Sequence, residues 1–191
     1  PTYLYAVLSN TYLMNDISDE GIEEDFIRYT GLDTDKYQLS FDMSLSFKDD
    51  EADSLTLSSQ EKIMALFAGK QIDVFIAPER VMERYLSTDL FQDPREVLGP
   101  EEISKLEDMG YKLYYCKYSE TLEAEEWDPS TMEDYDICLG INVSNSKYLK
   151  TVGSVGAFPE KYGDPIFAFS TVASKEGLEH GIELLNMITK E

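Results

Sequence analysis

Between Gly69 and Pro78 the chain reads "GKQIDVFIAP", and "DVFIA" over 73–77 is the stretch that most restricts the fold. After Asp73 every position is apolar, and the run is too short for a helix. A strand with no polar face must be covered on both sides, so the spacing predicts a central strand of a sheet. What precedes it reads as a helix: Ser58 and Glu61 form an S-x-x-E capping box, and Ile63, Met64, Leu66 and Phe67 fill most of the circumference. Gly69 is expected as its left-handed stop. Pro78 suits the first turn of a following helix, where its missing donor has no partner to lose, and Val81, Met82, Tyr85 and Leu86 give that helix its apolar side.

The flanking segments extend the pattern. "TYLYAVLSN" predicts a buried strand, and residues 18–30 carry helical spacing that ends at Gly31. "YQLSFDMSLSF" over 37–47 alternates strictly, which predicts one long strand with Tyr37, Leu39, Phe41, Met43, Leu45 and Phe47 on a single face. Strand, helix, strand, helix, strand, helix in that order implies an α/β fold with a mixed, largely parallel sheet flanked by helices. Neighbouring positions in one sheet are expected for 2–8, 37–47 and 73–77, with helices 59–68 and 175–189 packed on it. Further on, "LGPEEISKLEDMG" reads as a helix begun by Gly-Pro. "YKLYYCKY", "ICLGINV" and "DPIFAFSTVAS" read as strands, and Ser174 as the cap of a last helix. Residues 118–135 read as an acidic loop and 144–165 as irregular. No repeat and no linker interrupts residues 1–191, so one domain is expected.

Acidic residues outnumber basic ones by 38 to 16, a net charge of −22. That surface repels phosphate backbones, and with no basic run the expectation is no nucleic-acid partner. No apolar run reaches the length of a membrane span, so membrane association is expected only through an N-terminal anchor removed before Pro1.

Catalytic and metal motifs are sparse. His180 is the only histidine, and with Cys116 and Cys138 it cannot furnish a common zinc site, so no metal is expected. "DTD" at 33–35 and "DDEAD" at 49–53 resemble fragments of calcium loops but do not continue into the full pattern. "GSVGAF" at 153–158 is the nearest approach to a phosphate cradle and lacks the lysine of a P-loop. No cofactor and no catalytic residue is expected, and the chain reads as a non-enzyme. Cys116 and Cys138 lie in strands flanking the acidic loop, and two states fit equally: a cross-strand disulfide or two buried thiols.

Against this background, "QEKIMALFAGKQIDVFIAPERVMERYLSTDLFQDPREVL" resembles a segment of extracellular solute-binding proteins with the type II periplasmic-binding fold. The matching positions are Ala68-Gly69, Asp73-Val74, Tyr85 and Asp93 to Leu98. "DPIFAFSTVASKEGLEHGIELLNMI" is similar to that family's closing strand and helix. "LGINVSNSKYLK" is similar to short membrane-anchored relatives from Gram-positive gut bacteria. The resemblance implies one lobe of such a protein, with 118–165 a reduced remnant or loop-rich insertion in place of the second. It also implies an extracellular, surface-anchored binding module for a small molecule or peptide. The alternative is an interaction or structural ectodomain that lost the cleft. Parallel strands aim their carboxyl ends at one edge, so the ligand is expected at Ser9, Asn10, Pro78 and Glu79, with Glu79 favouring a neutral or cationic one.

Overall fold

A computed structural model describes residues 1–12, 19–48, 52–85, 88–117, 136–151, 154–155 and 159–190. The expectations for Leu86 and for the acidic 118–135 loop therefore fall outside the described residues. The first half runs β1 (Thr2–Leu8), β2 (Thr11–Tyr12), α1 (Asp19–Thr30), β3 (Gln38–Asp42), α2 (Ser54–Ala68), β4 (Val74–Pro78) and α3 (Glu79–Glu83). Next come β5 (Phe91–Gln92), α4 (Pro94–Asp108), β6 (Leu113–Lys117), β7 (Asp136–Asn142) and α5 (Lys147–Thr151). The chain closes with β8 (Ser154–Val155), α6 (Pro159–Tyr162), β9 (Pro165–Ser170) and α7 (Lys175–Thr189).

Seven strands form one open sheet in the order β3-β1-β4-β9-β7-β6, with β5 alongside β9 beyond the end of β7. The fold is α/β, as the sequence implies. The sheet is mixed and mostly parallel: β1, β3, β4, β5 and β7 point one way, and β6 and β9 the other. The "DVFIA" strand is central. Every residue of β4 is buried, and β1 and β9 flank it.

Its alternation sorts the core into two layers. Val74 and Ile76 join Leu4, Ala6, Phe167, Phe169 and the inner faces of α1 and α7. Phe75 and Ala77 join Val7, Ile166, Ala168 and the inner face of α2, including Ile63 and Phe67. Successive strand residues point to opposite faces, so an unbroken apolar run is what a sheet with helices on both sides requires.

Several boundaries differ from the sequence reading. β3 stops at Asp42, because Asp42 Oδ1 turns back to accept from both the backbone N–H and the hydroxyl of Ser44. Phe41 and Met43 stay in the first core layer, whereas Leu45 and Phe47 enter the second. Beyond the turn, Ser46 and Lys48 donate their backbone N–H groups to Ser59 Oγ and Thr56 Oγ1 of α2 instead of to a strand. α2 begins four residues before the Ser58 box, since Asp53 is extended and its carboxylate accepts from Thr56 N at 3.0 Å. Gly69 is not left-handed; Lys70 takes that conformation at φ 53°. Pro78 closes β4 instead of lying inside a helix, and α4 starts at Pro94 under an Asp93 cap, with Gly99-Pro100 marking a kink within it. The 144–165 stretch holds α5, α6 and β8.

Both cysteines are buried thiols, and no bridge forms between them. β6 and β7 are neighbours, yet Cys116 pairs with Ile137 and Cys138 with Tyr115. Adjacent residues of a strand face opposite sides, so the two sulfurs lie on opposite faces of the sheet.

Candidate functional site

The edge at the carboxyl ends of β1 and β4 uses its polar groups internally. Ser9 is buried, donates its backbone N–H to Ile76 O and donates its hydroxyl to Asn10 Oδ1. Asn10 is 2% exposed, left-handed at φ 55°, and bonded through its amide to both backbone groups of Phe47. Pro78 is buried opposite Pro165. Glu79 accepts from Asp164 N at 2.7 Å and donates its own N–H to Asp164 O, fastening the turn before β9. These four residues are brought together in pairs that tie the fold, with Glu79 bonded through one of its two carboxylate oxygens.

A second region opens at the opposite edge. A cleft of about 1040 Å³ spans the amino ends of β1 and β3, the turn before β4 and the first turn of α7. Its walls include Tyr3, Tyr5, Tyr37, Gln38, Gln71 and Asp73. The aromatics come from "TYLY" and from the start of "YQLSF", where strand-forming tyrosines reach the sheet end. Tyr3 and Tyr37 meet edge to face with centroids 5.5 Å apart.

Asp73 supplies the charge. It precedes β4 and pairs with β1: its backbone N–H donates to Tyr5 O, and its Oδ2 accepts from Tyr5 N at 2.9 Å. The other oxygen lies over Gly177 in the first turn of α7, where a Cβ would overlap it. Ser174 caps that turn by accepting from Gly177 N. Burial pushes the Asp73 carboxyl above its ordinary range, against the opposing pull of the Tyr5 N–H and of His180.

His180 stacks on Tyr3 with ring centroids 3.5 Å apart, and its Nδ1 lies 2.7 Å from Glu183 Oε1. Tyr3 donates its hydroxyl to the same carboxylate at 2.9 Å. Burial, with Glu183 next, raises the Tyr3 phenol to about 12. The three side chains tie α7 to β1 at the side of the cleft. Among the described residues no three His, Cys, Asp or Glu side chains converge to hold a metal, and no helix is long and apolar enough to cross a membrane.

Sequence reasoning places the ligand at the carboxyl ends of the strands, whereas this cleft opens at their amino ends. The sequence feature that marks the amino end is Asp73, a lone carboxylate at the head of an otherwise apolar strand. Comparison with family models, curated proteins and solved structures finds no match to this chain.

Proposed function

We propose that the protein is a non-catalytic binding module that takes a neutral or cationic small molecule or peptide terminus in the cleft at the amino edge of β1, β3 and β4. The observation that carries this reading is the cleft's lining: tyrosine rings and glutamine amides around one half-buried carboxylate. Aromatic walls with a few fixed polar groups are the usual make-up of a small-ligand site. The net charge of −22 repels anions at long range and attracts cations.

The resemblance to extracellular solute-binding proteins supports placing this module outside the cell, held by an anchor upstream of Pro1. The use of the amino edge departs from that family's pattern, in which the ligand meets the carboxyl ends of the strands. A second reading, an interaction ectodomain, is favoured by Leu57 and Met64, which lie exposed one above the other on α2.

Thermal-shift screening against sugars, amino acids, short peptides and amines, followed by NMR mapping of any hit, tests the first reading. A hit that perturbs Tyr3, Tyr37 and Gln71 supports it. A hit that perturbs only the outer face of α2, or the turns at Asn10 and Glu79, refutes it.

A further inference from the structure

The Asp73 carboxylate is held from two sides yet half used. Oδ2 accepts from Tyr5 N, and the backbone on either side is fixed by Tyr5 and by Ser170, whose N–H donates to Asp73 O. Among the described residues Oδ1 accepts no hydrogen bond, and no lysine, arginine or histidine forms an ion pair with the carboxylate. The charged groups around it are few. Lys70 lines the same cleft without reaching it, and His180 acts on it only through space.

A half-buried carboxylate without a cationic partner is an unfavourable arrangement, and the surroundings maintain it. Glycine in the first turn of α7 sacrifices helix propensity, and at 177 it is the residue that leaves Oδ1 its space. Tyr3, Tyr5 and Tyr37 line the same cleft, and tyrosine faces attract cations through the ring quadrupole.

From this geometry we infer that the cleft recognises a primary ammonium group, which donates to Asp73 Oδ1 while the attached carbon chain or ring lies along the tyrosines. This inference rests on the binding reading above and narrows it to amines. The charge-assisted bond uses the oxygen that Tyr5 N leaves free, at about 2.8 Å, and the incoming positive charge offsets the partial desolvation of the carboxylate.

The test compares phenethylamine with 2-phenylethanol, which differ only in the ammonium group, by NMR titration of the whole chain. Both are expected to move the Tyr3 and Tyr37 ring signals, with the amine binding at least tenfold more tightly. Asp73→Asn, which keeps an acceptor for Tyr5 N, is expected to bring the two affinities within about twofold. Gly177→Ala leaves the charge but crowds Oδ1, so it is expected to weaken the amine more than the alcohol. Should Asp73→Asn fail to fold, the wild-type comparison and Gly177→Ala decide the matter. Equal affinities in the wild type, with the cleft signals still moving, overturn the amine inference and leave the binding reading standing. Cleft signals that neither probe moves overturn both.

Discussion

Asn10 and Phe47 are joined by both ends of one side-chain amide: Nδ2 donates to Phe47 O at 2.8 Å, and Oδ1 accepts from Phe47 N at 3.0 Å. The side chain thereby does for residue 47 what a neighbouring strand does for its partner. It holds the extended chain beyond β3 against the end of β1 and feeds Leu45 and Phe47 into the second core layer.

Asn10→Ala removes both bonds in a buried place and leaves a non-glycine residue at φ 55° without the local bonding that suits asparagine to it. Unpartnered buried groups at Phe47 and the backbone strain together are expected to cost about 2–4 kcal/mol. Urea denaturation of the variant measures it; a loss below about 0.5 kcal/mol contradicts the structural role. Asn10→Asp is also expected to be destabilising, because a carboxylate cannot donate to Phe47 O.

Asp73 and Gly177 make a coupled pair whose sign can be tested. In the wild type, Gly177→Ala gains helix propensity but forces its methyl onto Oδ1, an atom on a short side chain already fixed by Tyr5 N. Net destabilisation of about 1–2 kcal/mol is expected. In an Asp73→Ala background the obstruction is gone, and the same change is expected to stabilise by up to about 1 kcal/mol. A double-mutant cycle in which the two effects simply add rules the contact out.

The pH dependence of stability carries the mark of the same carboxylate. Its folded-state carboxyl titrates above the ordinary value of 3.8, chiefly through burial. The folded state therefore binds this proton more tightly than the unfolded chain. Ionisation of Asp73 weakens the fold as pH rises through the interval from 3.8 to the raised value. Asp42 works in the opposite direction. Burial raises its carboxyl, but bonds from Lys62 and Ser44 outweigh that and hold it below 3.8, so its stabilisation is lost as pH falls through that lowered value. Asp73→Asn is expected to melt higher than the wild type at pH 7, with the gap closing as pH falls below 3.8. A gap that is absent at pH 7, or that widens in acid, refutes the assignment.

Much of this architecture is legible in the residues, and the boundary of legibility has a physical cause. "DVFIA" declares a central strand because no polar residue interrupts it, and Ser174 declares a helix start because its hydroxyl acts three residues away. The break at Asp42 is hidden. Its alternation continues undisturbed to Phe47, and what holds the chain beyond the turn is Asn10, 37 residues from Phe47 in sequence. The same holds for the site. Asp73 stands out as a charge, but its cleft exists only because α7, formed by the last residues of the chain, delivers Gly177 to it. Glu79 looks like a free carboxylate at a helix start until the turn before β9 arrives with Asp164 N.

Tyr85 offers a change that is expected to strengthen the fold. Its ring sits among Phe47, Phe75 and Phe91, at centroid distances of 6.1, 6.3 and 6.3 Å. The hydroxyl at its tip is buried without a hydrogen-bond partner among the described residues, and burial raises the phenol to about 12. Tyr85→Phe keeps the aromatic packing and removes an oxygen that gave up water on folding and gained nothing. A stabilisation of about 1 kcal/mol is expected, read as a higher urea midpoint with an unchanged slope. A loss of more than about 1 kcal/mol shows that the hydroxyl has a partner after all.

The last expectation separates the two sides of α2. Phe67 is 5% exposed and meets Phe91 edge to face with centroids 6.0 Å apart, inside the layer that covers β4. Met64, one turn earlier, is 47% exposed on the outer side. Truncation of Phe67 to alanine opens a void that the packed ring cluster cannot close, at a cost of about 3–5 kcal/mol. The same truncation at Met64 forfeits little burial and gains slightly in helix propensity, so its effect is expected within about 0.5 kcal/mol of zero. Equilibrium unfolding of the two variants side by side checks the orientation of the helix. Comparable losses at both positions mean that α2 is covered on its outer face as well, which would turn Leu57 and Met64 from exposed residues into part of an interface.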